Sequence, residues 1–211
     1  MDFSKAFGAS FREVVDGERE GMPTHIVRMS RTYPTNPSDL WSALTEKDRI
    51  KRWFAVVNGD FKLGGRFSIE CNAEGSITVC DPPHALRVTW EYGGSTSWVA
   101  VHLKADNQGT LLTLEHENPT DEASEAHWVK YGPGATGLGW ELALMGLEMH
   151  FLYPDEEICE AGMAWAGGEE AKAVMIQWAN AWGEAHIKSG APAEAAHQTT
   201  QRIVAFYTGG S

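Results

Sequence analysis

Between Phe61 and Asn118, apolar residues recur at every second position. Phe67, Ile69 and Cys71 alternate with polar neighbours, and so do Ile77 and Val79. Leu86, Val88, Trp90 and Tyr92 share one side, opposite Arg87, Thr89 and Glu91. Val99, Val101 and Leu103 alternate with Ala100 and His102, and Leu112, Leu114 and His116 with Thr113 and Glu115. A period of two belongs to strands that rest one face on a core. Turn signals separate the runs: Gly64-Gly65, Asn72 to Gly75, Asp81-Pro82-Pro83, Gly93-Gly94 and Asp106 to Gly109. Connections this short predict an antiparallel meander with one apolar face.

On either side of the meander the spacing differs. Ser10 to Val15 and His25 to Tyr33 read as strands joined by the polar segment Asp16 to Met22, either a hairpin or two successive strands. Asn36-Pro37-Ser38-Asp39 is a helix start, and Leu40 and Leu44 share a face of the short helix it opens. Thr45, with Asp48 three residues on, repeats that signal and predicts a second short helix to about Trp53-Phe54. Pro119 to Gly139 reads as a polar loop whose glycine-rich end is a flexible hinge. It lacks the Lys-Ser/Thr ending of a phosphate-binding loop, and no strand runs into it.

Trp140 to Phe151 returns to helical spacing. Trp140, Leu144, Leu147 and Phe151 form one stripe and Leu142, Met145 and Met149 another, with Glu141 and Glu148 on the narrow face left over. A helix apolar on two sides is expected to be covered on both, once by the sheet and once by the C-terminal part of the chain. Asp155 to Trp165 predicts a short helix. Glu169 to Ile187 predicts a longer one carrying Val174, Trp178, Trp182 and Ala185. Pro192 to Tyr207 predicts a last one, with Ala196, Thr199, Ile203 and Phe206 on a stripe and Gly209-Gly210 as its stop.

Charge narrows the partners. The 29 acidic residues against 17 basic give a formal net charge of −12, and no basic run exceeds Lys51-Arg52. Such a surface repels phosphate backbones and anionic lipids, so neither nucleic acid nor a membrane is an expected partner. No apolar stretch approaches the roughly 20 residues of a membrane span. The first eight residues have no apolar segment of a secretory signal. Cys71, Cys80 and Cys159 share no CxxC spacing and read as free thiols, so a cytoplasmic location is expected. Nothing in the residues signals an oligomeric state.

The chemistry-bearing residues do not converge. The eight histidines form no HxxxH or HExxH pair, so no metal and no cofactor is expected. There is no Gly-x-Ser-x-Gly elbow and no cysteine beside a histidine, so no catalytic residue is assigned. Proton transfer inside a cavity would need a single acid or base. Alternation gives His116 as the polar candidate, because it shares the face of Leu112 and Leu114. The nine tryptophans serve either as core or as cavity wall.

A strand region, two short helices, a meander of about six strands and a long helix make the helix-grip order. Within it stand Leu40-Trp41-Ser42-Ala43-Leu44-Thr45, Ile50-Lys51-Arg52-Trp53-Phe54 and Leu63-Gly64-Gly65-Arg66-Phe67. Cys80-Asp81-Pro82-Pro83-His84-Ala85-Leu86 leading to Thr89-Trp90, and Gly109-Thr110 leading to Leu112-Thr113-Leu114, continue in order. Over residues 24–151 these words resemble the heat-shock-protein-90 ATPase activator homologue-like branch of the SRPBCC (START-like) superfamily. Trp182-Gly183-Glu184-Ala185-His186 and Ala205-Phe206-Tyr207-Thr208-Gly209 resemble the tail of a bacterial subgroup.

The resemblance implies an α+β helix-grip fold, with a curved antiparallel sheet wrapped on a long helix. The expected domain is 1–152, with strand region 9–33, helices 37–54, meander 61–118 and long helix 140–151. A helical extension, 153–211, is expected to pack on it. The resemblance also implies a cavity for a hydrophobic small molecule, apolar or aromatic. The wall is expected to include Trp53, with Phe67, Ile69, Trp90, Val101 and Leu114 placed by strand parity and Trp140 and Leu144 by their shared helical stripe, and His116 as its main polar group. A cyclase, dehydratase or isomerase using that cavity is the alternative reading, and a chaperone-associated interaction module a second. Within these 211 residues the separate chaperone-binding domain of the activator itself is not expected.

Overall fold

The computed structural model describes residues 1–3 and 11–209. Strands β1 (Phe11–Arg19) and β2 (Met22–Tyr33) form a hairpin, which resolves the two readings of this region. Ser10 lies outside the described residues. Glu20 and Gly21, with φ of 52° and 83°, turn the chain in the left-handed region that two-residue hairpins favour. The connection is therefore much shorter than expected. Asp16 to Arg19 continue β1, because an edge strand tolerates polar side chains on its wet face.

Helix α1 (Pro37–Thr45) is capped as predicted, with Asn36 Oδ1 accepting from the Asp39 amide at 3.0 Å. Thr45 does not cap α2 (Lys47–Trp53). Its hydroxyl donates to the Trp41 carbonyl, 2.7 Å away in its own helix, and Glu46 takes the cap position without a side-chain bond.

Six further strands complete the sheet: β3 (Val57–Gly59), β4 (Arg66–Ile69), β5 (Glu74–Asp81), β6 (Ala85–Tyr92), β7 (Ser95–Asp106) and β8 (Gly109–Pro119). Together the eight strands make one antiparallel sheet in the order β1-β2-β8-β7-β6-β5-β4-β3, so the opening hairpin docks on the last strand of the meander. Two alternations read from the sequence break off. Cys71 sits beyond β4 in a turn, exposed, with φ of 58°. In β5 the register shifts between Ile77, opposite Val88, and Val79, opposite Arg87. That bulge reverses parity, so Val79 is 37% exposed while Cys80, opposite Leu86, turns inward.

The expected loop 119–139 is largely helical. Helix α3 (Glu122–Tyr131) has a full N-terminal signal, Asp121 accepting from the Ser124 amide at 2.9 Å, but none of its residues is buried. Without an apolar stripe, periodicity could not reveal it. Helix α4 (Gly134–Leu152) begins six residues before Trp140. Its glycines are a packing surface and no hinge: a Cβ on Gly137 would lie 2.3 Å from Cε2 of Trp182, and one on Gly146 2.6 Å from the Trp53 carbonyl oxygen. Their poor helix propensity is outweighed by the close approach they permit.

Helices α5 (Ile158–Ala166), α6 (Glu169–Lys188) and α7 (Ala193–Thr208) complete the chain. Helices α5, α6 and α7 all touch α4, α6 also meets β1, and α7 meets α3. Trp182 is fully buried in this layer. On α7, Ala196, Thr199 and Ile203 are buried as their stripe suggests, but Phe206 is 68% exposed and rests on Tyr131 and Tyr207 at the surface.

Glu141 departs furthest from expectation. The helical pattern puts it on a leftover polar face of α4, yet it is fully buried, with Oε1 2.5 Å from Arg12 Nε and Oε2 3.5 Å from Arg31 Nη2. Glu148, one-fifth exposed, stands 3.4 Å from the other Arg31 terminal nitrogen. The reason is a third cover. The β1-β2 hairpin lies against the face that periodicity leaves polar, and it brings arginines to meet the carboxylates. A buried carboxylate without a counter-charge would cost several kcal/mol.

Two outcomes are expected for stability. Glu141→Ala should cost about 3–5 kcal/mol in denaturant unfolding, because it leaves guanidinium charge buried without its carboxylate. A loss below about 1 kcal/mol would show that the cluster is hydrated. Gly137→Ala should destabilise by about 1–3 kcal/mol through overpacking against Trp182. Helix propensity alone predicts the opposite sign, a gain of about 1 kcal/mol, so the direction of the midpoint shift decides.

Candidate functional site

Curvature leaves a chamber of about 270 Å³ between the concave face of the sheet and α4. Its floor comes from alternate residues of the meander. Phe67 and Ile69 rise from β4, Leu86, Val88 and Trp90 from β6, and Val99, Val101, Leu112 and Leu114 from β7 and β8. On the helical side stand Trp140, Ala143 and Leu144 of α4. Helices α1 and α2 close the end with Trp41, Leu44, Ile50 and Trp53, joined by Phe54 just past α2. Exposed Pro82 and half-buried Phe61, Trp41 and Thr45 mark the rim, whereas Leu112 and Leu114, at most 2% exposed, mark the depth.

The wall offers almost no polar chemistry. None of its side chains is a carboxylate, imidazole, amine or guanidinium. The Thr45 hydroxyl donates to Trp41, and the indole of Trp53 donates to the Ala43 carbonyl at 3.0 Å. Further polar side-chain atoms on the wall are the Cys80 thiol, brought inward by the bulge in β5, and the indole nitrogens of Trp41, Trp90 and Trp140.

Of the residues expected on the wall, the structure brings together Trp53, Phe67, Ile69, Trp90, Val101, Leu114, Trp140 and Leu144. His116 lies elsewhere. It is 7% exposed on the same face of β8, between Val27 and Val99, but behind a partition formed by Trp90 and Trp140. The two indoles meet edge-on at 5.3 Å, and the imidazole lies about 6 Å from each.

The bonds of His116 fix its state. The Trp140 indole N–H donates to Nδ1 at 2.9 Å, so Nδ1 carries no proton. The neutral ring must then hold its hydrogen on Nε2 and donate it to Ser97 Oγ at 2.8 Å. Ser97 passes its own hydrogen to the Trp90 carbonyl at 3.2 Å. Burial lowers the His116 pKa to about 4, since a charged ring here would lose water and gain no anion.

Beyond the partition lies a second cleft of about 360 Å³, which sequence reasoning missed because its outer wall is α3. His116, Ser97 and Asn118 form its floor, Tyr92 and Ser95 one side, and Ala123, His127 and Trp128 of α3 the other. The docking of α3 here is local: His25 of β2 stacks on Trp128 at 4.3 Å and sets Nε2 3.2 Å from Glu125. Among the described residues no cluster of His, Cys, Asp or Glu is arranged to hold a metal ion, and no helix is long and apolar enough to cross a membrane.

This architecture has known counterparts. CalU16 from Micromonospora echinospora, solved by crystallography, superimposes with a TM-score of 0.66 at 28% identity, over 84% of this chain and 98% of that one. EF2215 from Enterococcus faecalis shares the fold with a TM-score of 0.54 at 20% identity, over 77% and 91%. DynU16, a protein of the dynemicin biosynthetic locus, does so at 0.52 and 19%, over 63% and 49%. No functionally curated protein matches the sequence. The model of the family described as activator of Hsp90 ATPase homolog 1-like protein matches residues 34–151, which run from the start of α1 to the end of α4. By that match and the helix-grip architecture, the chain belongs to this family of the SRPBCC superfamily.

Proposed function

We propose that this protein binds an apolar or aromatic small molecule in the chamber between sheet and α4, without transforming it. The observation that carries the reading is an unfilled chamber of about 270 Å³ with no ionisable acid or base on its wall beyond a thiol. An apolar cavity of about 150 Å³ stays dry and takes up benzene, so a space of this size suits a body of two fused rings. The ligand contacts we assign are Trp53, Phe67, Ile69, Trp90, Val101, Leu114, Trp140 and Leu144. His116 supports Trp140 from behind.

A cyclase, dehydratase or isomerase would need a proton donor or acceptor at the ligand. Behind the chamber wall stand His116 and Ser97, 2.8 Å apart, and their polarity runs the wrong way for such a role. The imidazole donates to the serine, so it cannot activate that oxygen as a base. The chaperone-related reading draws on the family's description, and among the described residues no surface singles it out.

Binding and protonation can each be measured. Calorimetry with naphthalene as the probe should give saturable one-to-one binding with a negative heat-capacity change. Ala143→Phe, which fills the chamber from α4, should weaken it at least tenfold. Wild-type protein that binds no apolar probe would end the proposal. NMR titration should find the His116 ring neutral down to about pH 4. Because that pKa lies below the ordinary 6.5, its contribution to stability is complete above pH 6.5 and is lost as pH falls toward 4. The loss is about 3 kcal/mol. A His116 ring that titrates near 6.5 would contradict the burial and the tautomer together.

A further inference from the structure

Four tryptophans border the chamber, Trp41 at its rim and Trp53, Trp90 and Trp140 farther in, and the inner three are not held alike. Trp53 donates its indole hydrogen to Ala43 and Trp140 to His116, so both rings are pinned. The half-buried Trp90 makes no indole hydrogen bond among the described residues. It is also the side chain common to the walls of the chamber and of the second cleft. Ring contacts with Phe67, Trp140 and His116 hold it in place, and these are non-directional enough to be exchanged for contacts with a ligand.

The cleft beyond Trp90 has a chemistry of its own. Among its lining side chains, no carboxylate, ammonium or guanidinium occurs. Tyr92, Ser95, His127 and Thr136 border it and make no side-chain hydrogen bond among the described residues, so their donors and acceptors are available. His116 contributes nothing charged, since Trp140 occupies Nδ1. The other imidazole at the edge of the lining, His25, has both ring nitrogens taken by carboxylates, Asp16 and Glu125 at 3.2 Å each, so it offers no free charge to a ligand. The faces of Trp90, Trp128 and Tyr92 add flat apolar area between these groups. Neutral hydrogen-bonding groups interleaved with aromatic faces suit a compact hydroxylated moiety. They leave an anion or a cation desolvated and without a counter-charge.

We propose that this cleft is the second compartment of one binding site, joined to the chamber through Trp90, and that the ligand class is an apolar ring body bearing an uncharged, hydroxyl-rich head. The inference rests on the chamber reading given above. It adds the head group, the direction in which it points, and the side chain that must turn to admit it. The cleft, at about 360 Å³, is large enough for a head of several hydroxyl-bearing carbons.

The test uses three probes with one body: naphthalene, 1-naphthyl glucoside and 1-naphthyl sulfate, each titrated into the intact protein. The glucoside should bind at least tenfold more tightly than naphthalene, and the sulfate no more tightly than naphthalene. Ala123→Trp, at an exposed position of α3 that borders the cleft, should remove the glucoside's advantage while naphthalene binding stays unchanged. Ser95→Phe intrudes from the opposite wall and should do the same, which guards against a disturbance confined to α3. Equal affinities for naphthalene and the glucoside in the wild type would overturn the second compartment and leave the chamber standing. So would equal losses of both probes in the two variants. A failure of both naphthalene and the glucoside to bind would remove the chamber reading as well.

Discussion

Burying the Glu141 carboxylate between Arg12 and Arg31 ties together parts of the chain that are far apart in sequence. The arginines come from the two strands of the opening hairpin, and the glutamate comes from the first half of α4. An ion pair this deep roughly offsets its own desolvation, so its effect is on position more than on net stability. A shift of α4 along its axis, or a slip of β1 against β2, would leave charge buried and unpaired. Tyr33 reinforces the same register by donating its hydroxyl to the Leu144 carbonyl at 3.0 Å. With α4 fixed against the hairpin, its other faces are committed. Leu144 looks into the chamber, while Met145 and Gly146 face the groove toward α2 and α5.

That commitment explains why a cavity persists in a core rich in large side chains. Trp53, Phe54, Trp140, Trp90 and Phe67 form a chain of ring contacts with centroids 5.3–6.4 Å apart. Aromatic side chains that meet edge-on or offset support one another along a wall and do not interdigitate across the space. The hydrogen-bonded series from Trp140 through His116 and Ser97 to the Trp90 backbone stiffens that wall from behind. A leucine at position 116 would leave the Trp140 indole hydrogen without an acceptor in a buried place, at a cost of about 1–3 kcal/mol. The histidine is best understood as the prop that keeps the ring of Trp140 upright.

Much of the chamber is legible in the sequence because it is built from alternating strands. Trp90, Val101 and Leu114 can be placed by parity, and Trp140 and Leu144 by their shared helical stripe. His116 shows where parity stops: alternation gives the face of the sheet but not how far along that face a partition stands. Cys80 is out of reach because one extra residue at the β5 bulge reverses every later side chain, and no residue type announces it. Helix α3 leaves a cap in the sequence, at Asp121, but no apolar stripe, and the second cleft is hidden with it. Glu141 misleads for a related reason. A helical wheel counts apolar neighbours, and only the tertiary fold supplies the arginines that let a carboxylate go inside.

The strand order carries a consequence for how the chain must assemble. The hairpin β1-β2 forms from neighbouring residues, yet its sheet partner is β8, and Thr24 pairs with Pro119. During synthesis the free edge of β2 therefore waits until the whole meander has left the ribosome. Its buried arginine, Arg31, waits longer still, for α4. Contacts closed over such separations are slow to form, and an unpaired edge invites pairing with other chains in the interval. Aggregation risk in this protein is thus concentrated in the nascent chain, at β2, before the last strand of the sheet has been made.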